Sequence, residues 1–239
     1  MIKKLFLIIA LGVSCVSGIA QDNTFSETGT RYPLSADGKK LVVSGFASFS
    51  GKTDADIFAN AMLWAVENLC SELRDGITEV DVKKMRFTCN LVLGSMPNSG
   101  MENVYNCQAI FSVASGRLIY YLSNISVTAK SFISKNVTPF EKLNPEKKES
   151  HKEIMDDFVA SESATLNNMF DFIASNRPSV RHWDEIGIRK PIVGMTMDEC
   201  LIAFGKPKTD YESNGETQWM YSTSFILFFK DGKVCTVIK

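Results

Sequence analysis

The most constraining feature of the chain is a short helix near the C-terminus whose two ends are both marked in the sequence. Thr196, followed three residues later by Glu199, is a capping box, which satisfies two free amides at a helix start. Gly205 stands where a residue with positive φ ends a helix, and Pro207 blocks its continuation. Between these limits, apolar residues recur at helical spacing: Met197, Cys200, Leu201 and Phe204. The sequence therefore predicts a short amphipathic helix that needs an apolar surface to cover.

The residues after this helix predict that surface. A polar loop is expected over 208–215. Aromatic and β-branched residues then fill three segments: 216–221, 225–229 and 234–238. Asp231-Gly232 predicts a tight turn between the last two. These segments predict a three-stranded antiparallel meander with one apolar face, on which the helix packs. Trp219 and Tyr221 are assigned to this packing and not to a ligand site.

Spaced motifs in this stretch indicate a family. They are Gly194-Met195-Thr196, Phe204-Gly205-Lys206-Pro207, Trp219-Met220-Tyr221 and Gly232-Lys233-Val234. On these motifs, residues 192–239 resemble the small α+β domain of the SmpA/OmlA/BamE family of bacterial outer-membrane lipoproteins. The resemblance implies that the motif residues shape turns and packing, and that the protein contacts other cell-envelope proteins.

A second unit is predicted over residues 41–134. Its first strand covers 41–49, and Thr53 with Asp56 opens a helix that Gly76 can end. The apolar face of this helix is predicted to consist of Phe58, Met62, Ala65, Leu69 and Leu73. The polar residues expected to point away from the core are Asn60, Glu67 and Glu72.

The pattern after this helix predicts three or four antiparallel strands, and alternating apolar and polar residues locate three of them over 87–93, 105–113 and 118–127. Ser115-Gly116 predicts the turn between the last two, and 94–103 is expected to be a loop. The run Asp54-Ala55-Asp56-Ile57-Phe58 leading to Trp64, with the strand Arg117-Leu118-Ile119-Tyr120-Tyr121, resembles a family of exported Bacteroidetes-type proteins of unknown function. That resemblance implies a fold like that of the TATA-binding protein.

The two units are predicted to be joined by residues 135–191, a polar linker followed by a helix. Prolines and alternating charges mark 135–150 as a solvated linker or a helix lead-in. Apolar residues then recur at helical spacing from Ile154 to Ile173, and Asn176-Arg177-Pro178 ends the pattern. The predicted fold class is α+β: two small helix-on-antiparallel-sheet units joined by a long amphipathic helix.

The N-terminus has the pattern of an export signal. Lys3-Lys4 precedes the apolar run 5–13, and Gly18-Ile19-Ala20 offers the small residues that a signal peptidase needs. Residues 1–20 are therefore predicted to be a signal peptide and 21–40 a polar N-terminal stretch. A lipid anchor on Cys15 is the alternative, since lipoprotein signals place a cysteine after the apolar core. No segment has the roughly 20 apolar residues of a transmembrane helix.

All cysteines except Cys15 follow the predicted cleavage site: Cys70, Cys89, Cys107, Cys200 and Cys235. Each lies in an apolar periodic segment, which predicts that most of them are core thiols. Bridges between Cys89 and Cys107, or between Cys200 and Cys235, are the alternative in an oxidising periplasm. No ligand spacing for zinc occurs. The net charge of −1 without a basic run longer than two residues predicts no nucleic-acid binding.

Few residues qualify for catalysis. The two histidines, His151 and His182, are expected at the surface, and Asp156-Asp157 on a solvated helix face. A nucleophile pair of His182 with Cys200 would need an approach that no pattern predicts. We therefore expect no catalytic, cofactor-binding or metal-binding residues and no cofactor.

Three functions remain open at this point. The first is a noncatalytic protein-interaction module in the periplasm or at the outer membrane, which binds other cell-envelope proteins. The second is a small-ligand-binding or enzyme-inhibitor module of the β-lactamase-inhibitor-protein type. The third is a hydrolase. An exposed apolar patch on one sheet would favour the first function, and a deep polar-lined pocket would favour the second or third.

Overall fold

The computed structural model describes residues 41–95, 102–130, 135–145, 147–176, 178–213 and 215–239. The predictions for the signal peptide, the lipid anchor on Cys15 and the polar stretch 21–40 fall outside these residues. Within them, helices combine with antiparallel sheets. The α+β class predicted from the sequence is confirmed.

The first unit is a six-stranded antiparallel sheet with helices on one face. Strand β1 (Val43–Ser48) leads into helix α1 (Asp54–Leu69). The next strands are β2 (Ile77–Asp81), β3 (Arg86–Gly94), β4 (Asn103–Ala114) and β5 (Arg117–Lys130). Strand β6 (Lys135–Pro139) follows, and then helix α2 (Glu149–Ser175). The strand order is β1-β5-β4-β3-β2, and β6 pairs with the far half of β5.

Both helices cover the same face of this sheet. Phe170 of α2 meets the rings of Phe49 and Tyr120 at 6.3 and 6.2 Å between centroids. The two helices are also joined directly, because the indole Nε1 of Trp64 donates to Asn168 Oδ1 at 2.7 Å. Helix α2 therefore packs on the first sheet and belongs to the first unit.

The segment 135–150, predicted to be a solvated linker, contributes to the core of that unit. Its first residues form β6, and Phe140 directly after the strand is buried. The Phe140 ring meets Phe158 and Tyr105 edge-on at 4.9 and 6.0 Å. The prolines and charges that suggested a linker lie around one buried aromatic residue, which holds the segment on the core together with the pairing of β6 to β5.

Helix α1 is buried more deeply than its amphipathic pattern predicted. Its capping box at Thr53 and Asp56 is present, as predicted, but ten consecutive residues from Ile57 to Val66 are buried. Asn60, predicted to point away, is fully buried. The Asn60 amide donates to the carbonyls of Asp56 and Asn176, so the C-terminal end of α2 covers it.

The end of α1 also differs from the prediction. The helix stops at Leu69, with Cys70 in an extended conformation, and Leu73 lies outside it with a φ of +52°. Gly76 does not end the helix. It allows a tight approach, because a Cβ there would collide with the Leu69 carbonyl. The chain then enters β2, a strand that the sequence did not predict.

Buried polar groups on α2 form a second departure from the sequence pattern. Asp157, expected on a solvated face, is buried and accepts a 2.5 Å hydrogen bond from the Tyr105 hydroxyl. Glu162 is also buried, and burial raises its pKa to about 7. Its Oε1 has no partner, while Oε2 accepts a bond from Ser163.

The second unit places two short helices beside a four-stranded antiparallel sheet. The helices are α3 (Trp183–Gly187) and α4 (Met197–Phe204). The strands are β7 (Thr209–Ser213), β8 (Glu216–Ser222), β9 (Phe225–Lys230) and β10 (Lys233–Ile238), in the order β10-β9-β8-β7. The capping box of α4 and the positive φ of Gly205 are as predicted. The loop expected over 208–215 contains β7, so the predicted three-stranded meander has a fourth, polar edge strand.

The aromatic residues of this sheet form its core, as predicted. Trp219 lies against Phe229 with ring centroids 4.7 Å apart, and Tyr221 is buried with its hydroxyl donating to the Gly205 carbonyl. All five cysteines in the described residues are free, so neither bridge considered from the sequence is formed. Cys70, Cys89, Cys107 and Cys200 are buried, and burial raises their pKa. Cys235 is exposed on β10 and is the exception among the five, consistent with the prediction that most of them are core thiols.

The two units meet where the loop after α1 contacts the end of α4. Leu73 and Lys206 exchange two backbone hydrogen bonds, each 2.8 Å long. Arg74 Nη1 donates to the Ile202 carbonyl at 3.0 Å, and Lys206 Nζ to the Glu67 carbonyl at 2.8 Å. At position 205, a Cβ atom would collide with the backbone carbonyl of Leu73, so only glycine fits this junction. Glycine is therefore required there twice, for its φ of +82° and for space.

Replacement of Gly205 tests this junction. Gly205→Ala is expected to lower the free energy of unfolding by about 3 kcal/mol, since conformational strain adds to the collision with Leu73. Gly215→Ala is the matched control, because Gly215 also has positive φ but open space around it. It is expected to cost about 1 kcal/mol, from strain alone. Urea unfolding of both variants measures the difference, and equal losses would show that the junction does not form as described.

Candidate functional site

Among the described residues, no helix lies on one of the two faces of the six-stranded sheet. In the described residues, α1 and α2 cover the other face, and side chains alternate between buried and accessible along β4. On the uncovered side, Phe46 pairs with Ile119 and Ile110 pairs with Tyr121 across the strands. Ile119 and Tyr121 are 41% and 40% exposed. We name the outward side chains of β1, β3, β4 and β5 the open face.

The centre of the open face is apolar and amide-rich. The outward residues of the central strand β4 are uncharged: Val104, Asn106, Gln108, Ile110 and Ser112. At the end of β5, the guanidinium of Arg117 lies 4.7 Å from the centre of the Phe46 ring, a cation–π contact. Protein interfaces lack charge at their centre and are enriched in aromatic residues and arginine. The composition of the open face matches that of such an interface.

A cleft of about 710 Å³ lies between the two units. The loop after α1 forms one wall, and the second unit supplies Phe204, Tyr221 and Phe225 as an aromatic wall. The cationic side chains that line it are Arg74, Arg189, Lys208 and Lys239. A smaller cavity of about 270 Å³ shares Arg74 and Arg189 with it. The two arginines therefore lie between both cavities.

Arg74 is the most constrained of these cations. Burial and the nearby charge of Arg189 lower the pKa of Arg74 to about 10. Nη1 donates to the Ile202 carbonyl, but the buried Nε has no hydrogen-bond partner. Among the described residues, neither Arg74 nor Arg189 forms an ion pair with a carboxylate. The cleft thus holds two neighbouring positive charges without a protein counter-ion.

The carboxylates of the cleft have partners elsewhere. Asp75 accepts hydrogen bonds from the hydroxyl and the amide of Ser71, and these bonds hold its pKa below the usual value. Glu72 lies 4.0 Å from Lys208. Glu79 lines only the smaller cavity. Excess positive charge therefore remains at the two arginines.

His182 is bound to a carboxylate, not to the thiol considered in the sequence. Its Nδ1 lies 2.9 Å from Glu199 Oε2, and the His182 side chain is 29% exposed, so its assignment to the surface holds only in part. Glu199 also accepts from the backbone amides of Arg181, His182 and Thr196. Cys200 is fully buried on α4, and burial raises its pKa. The structure places His182 and Glu199 together as a structural pair that ties residues 181–182 to α4.

His151, the other histidine, accepts a hydrogen bond from the Asn144 amide through Nδ1 at 2.8 Å.

Two other expectations concern metals and membranes. In the part of the chain that the structure describes, no group of three His, Cys, Asp or Glu side chains converges on a metal-sized site. No helix there combines the length and the apolar character needed to cross a bilayer.

Sequence reasoning missed both the open face and the cleft. The uncharged outward positions of β4 were readable from the alternation itself, once its buried partners were assigned. The cleft had no signal in the sequence, since Arg74 and Arg189 belong to different units.

Comparisons with known proteins give a fold and no activity. No protein-family model and no curated protein matches the sequence. A solved structure of a TBP-like protein from Parabacteroides distasonis has a TM-score of 0.50 and 12% identity, over 62% of this chain and 99% of that one. A DUF4468 family protein from Bacteroides ovatus has a TM-score of 0.46 and 17% identity, over 62% and 94%. The first similarity shows a TBP-like fold, as predicted from the sequence.

The role of Glu199 can be tested through pH. Burial raises the pKa of Glu199, but the backbone amides that donate to it outweigh burial, so its pKa lies below the ordinary 4.5. Ionised Glu199 therefore stabilises the folded protein above pH 4.5. This stabilisation is lost as the pH falls through the pKa that Glu199 has in the folded protein, which is lower than 4.5.

Glu199→Gln is expected to lower the free energy of unfolding at pH 7 by about 2 kcal/mol, because buried amides lose a charged acceptor. The difference from the wild type should shrink as the pH falls below about 4. Glu216→Gln, at an exposed carboxylate, serves as the control. Urea unfolding over a pH series measures all three proteins, and a constant difference across the series would contradict this role.

Proposed function

We propose that the protein is an exported, noncatalytic interaction module that docks through its open face onto a cell-envelope protein. The observation that supports this most is the uncovered sheet face with Phe46, Ile119 and Tyr121 beside an uncharged central strand. Apolar side chains left exposed on a sheet favour burial against a partner. The TBP-like fold adds no activity of its own, since fold alone does not define function.

The partner is expected to present a surface of matching chemistry. The amides of Asn90, Asn106 and Gln108 lie across β3 and β4 and offer hydrogen bonds without net charge. A partner surface with apolar residues and a few polar groups would satisfy both kinds of side chain. Arg117, at the end of the face, would meet a carbonyl or a carboxylate on the partner's rim.

Export and envelope location are parts of this proposal. They are supported by the signal-like pattern of residues 1–20 and by the BamE-like motifs of residues 192–239. The noncatalytic character is supported by the bonding of His182 to Glu199 and by the burial of Cys200. The lipoprotein-family resemblance of the second unit stays a prediction.

Site-specific photo-crosslinking tests the docking surface. A photoreactive benzophenone amino acid placed at Gln108, in the centre of the open face, is expected to capture one envelope protein in the cells that make this chain. The same amino acid at Tyr211, which is 62% exposed on β7, should not capture it. Mass spectrometry of the adducts identifies the partner.

Substitutions on the two surfaces complete the experiment. Tyr121→Ser should reduce the adduct at residue 108 by roughly tenfold, since interface aromatics commonly contribute more than 1.4 kcal/mol. Tyr211→Ser removes an exposed tyrosine from a different surface and should leave the adduct unchanged. The proposal fails if no adduct forms at residue 108, if both substitutions act alike, or if the captured protein is a second copy of this chain.

A further inference from the structure

We propose that the cleft between the two units binds a small amphipathic anion. Its carboxylate or phosphate group would contact Arg74 and Arg189, and its apolar part would lie against Phe204 and Phe225. This site is separate from the open face, and its occupation does not depend on docking there.

The first argument is uncompensated charge. Arg74 and Arg189 lie close enough for the charge of one to disfavour the charge of the other, and no described carboxylate pairs with either. A half-buried charge such as that of Arg74 is ordinarily paired, because transfer from water is costly, and the exposed Arg189 adds a second positive charge beside it. The cleft carboxylates are engaged by Ser71 and Lys208, so they do not supply the missing partner. An anionic ligand would supply it.

The second argument is the orientation of the Arg74 side chain. Its Nη1 is fixed by the Ile202 carbonyl, which leaves Nε and Nη2 on the opposite edge of the guanidinium. That edge presents two parallel N–H groups, the geometry that binds a carboxylate or phosphate through two hydrogen bonds. Nε is buried and lacks a partner. An oxyanion that reaches this edge from the cleft would supply the missing acceptor.

The third argument is the aromatic wall. Tyr221 and Phe225 stack with centroids 4.9 Å apart, and Phe204 meets Phe225 edge-on at 5.1 Å. All three rings line the cleft together with the arginines. An inorganic anion would use only the cationic wall, whereas a ligand with an attached ring or alkyl group would contact both walls. The combination therefore selects an amphipathic molecule.

The size of the cleft indicates a small molecule. Small-molecule sites measure roughly 300–1,000 Å³ and combine apolar walls with a few polar groups. At about 710 Å³, the cleft lies within this range. The ligand class is thus an aromatic or aliphatic carboxylate or phosphate monoester.

Binding can be tested with benzoate and phenyl phosphate as probes, and with benzamide as an uncharged control of similar size and shape to benzoate. Titration of the isotope-labelled full chain, followed by amide chemical shifts, locates the site and gives the dissociation constant. At least one anion is expected to shift amides of residues 71–75 and 204–206, and benzamide should bind roughly tenfold more weakly or not at all. Inorganic phosphate measures the contribution of the aromatic wall and should also bind more weakly.

Variants assign the contact to the arginines. Arg189→Gln is expected to weaken binding of the preferred anion roughly tenfold, as for loss of one charge-assisted hydrogen bond. Arg189 is exposed, so this variant should fold normally. Lys190→Gln removes an equal charge from the neighbouring residue, which does not line the cleft, and should leave binding unchanged. Arg74→Gln should abolish binding, and its amide spectrum shows whether the fold is retained.

The outcomes distinguish a phosphate ligand from a carboxylate ligand, and they include results that would contradict the proposal. Preference for phenyl phosphate over benzoate indicates a phosphate ligand, and the reverse indicates a carboxylate. Equal binding of benzamide, equal weakening by Arg189→Gln and Lys190→Gln, or no shift at millimolar anion would overturn the proposal. The crosslinking at residue 108 reads out a different surface, so either proposal can fail alone.

Discussion

Two backbone hydrogen bonds between Leu73 and Lys206 connect the two sheet units and determine what lies between them. They form only because Gly205 leaves room for the Leu73 carbonyl and because the chain leaves α1 at Leu69 instead of continuing as a helix. The same short contact brings Arg74 to the Ile202 carbonyl and opens the cleft beside it. Local backbone geometry at three or four residues thus positions the proposed ligand site, which neither unit contains alone.

In the first unit, the described helices form the core on one face of the sheet and leave the other face uncovered. Helices α1 and α2 cover one side of the six-stranded sheet, with Tyr105, Phe111 and Tyr120 among the largest buried side chains. No described helix remains for the opposite side, so residues such as Ile119 and Tyr121 keep much of their surface in water. This asymmetry follows from the order of elements, since both helices connect to the same face. The open face is therefore a consequence of topology, and its uncharged centre is what suits it for a partner.

The elements that could be predicted from sequence are those with a strong periodic signal. The alternation around Phe111 in β4 and the capping boxes at Thr53 and Thr196 specify their structures locally. The missed strands β2, β6 and β7 are short edge segments, paired on one side only, with little apolar alternation to reveal them. Asn60 was placed on the wrong side because its burial depends on α2, more than one hundred residues later in the chain. The cleft could not be predicted for the same reason, since it exists only through contacts between distant residues.

The docking of the two units is the central claim, and amide hydrogen exchange at Leu73 and Lys206 tests it most directly. Both amides donate across the junction, so both are expected to exchange slowly, on the timescale of the amides of β4 and not of exposed turns. The exchange rates of the Arg74 and Gly205 amides are less informative, because neither amide donates a hydrogen bond across the junction. Exchange at Leu73 and Lys206 as fast as at the exposed Gly215, with the sheet amides still protected, would show two folded but undocked units and no cleft between them.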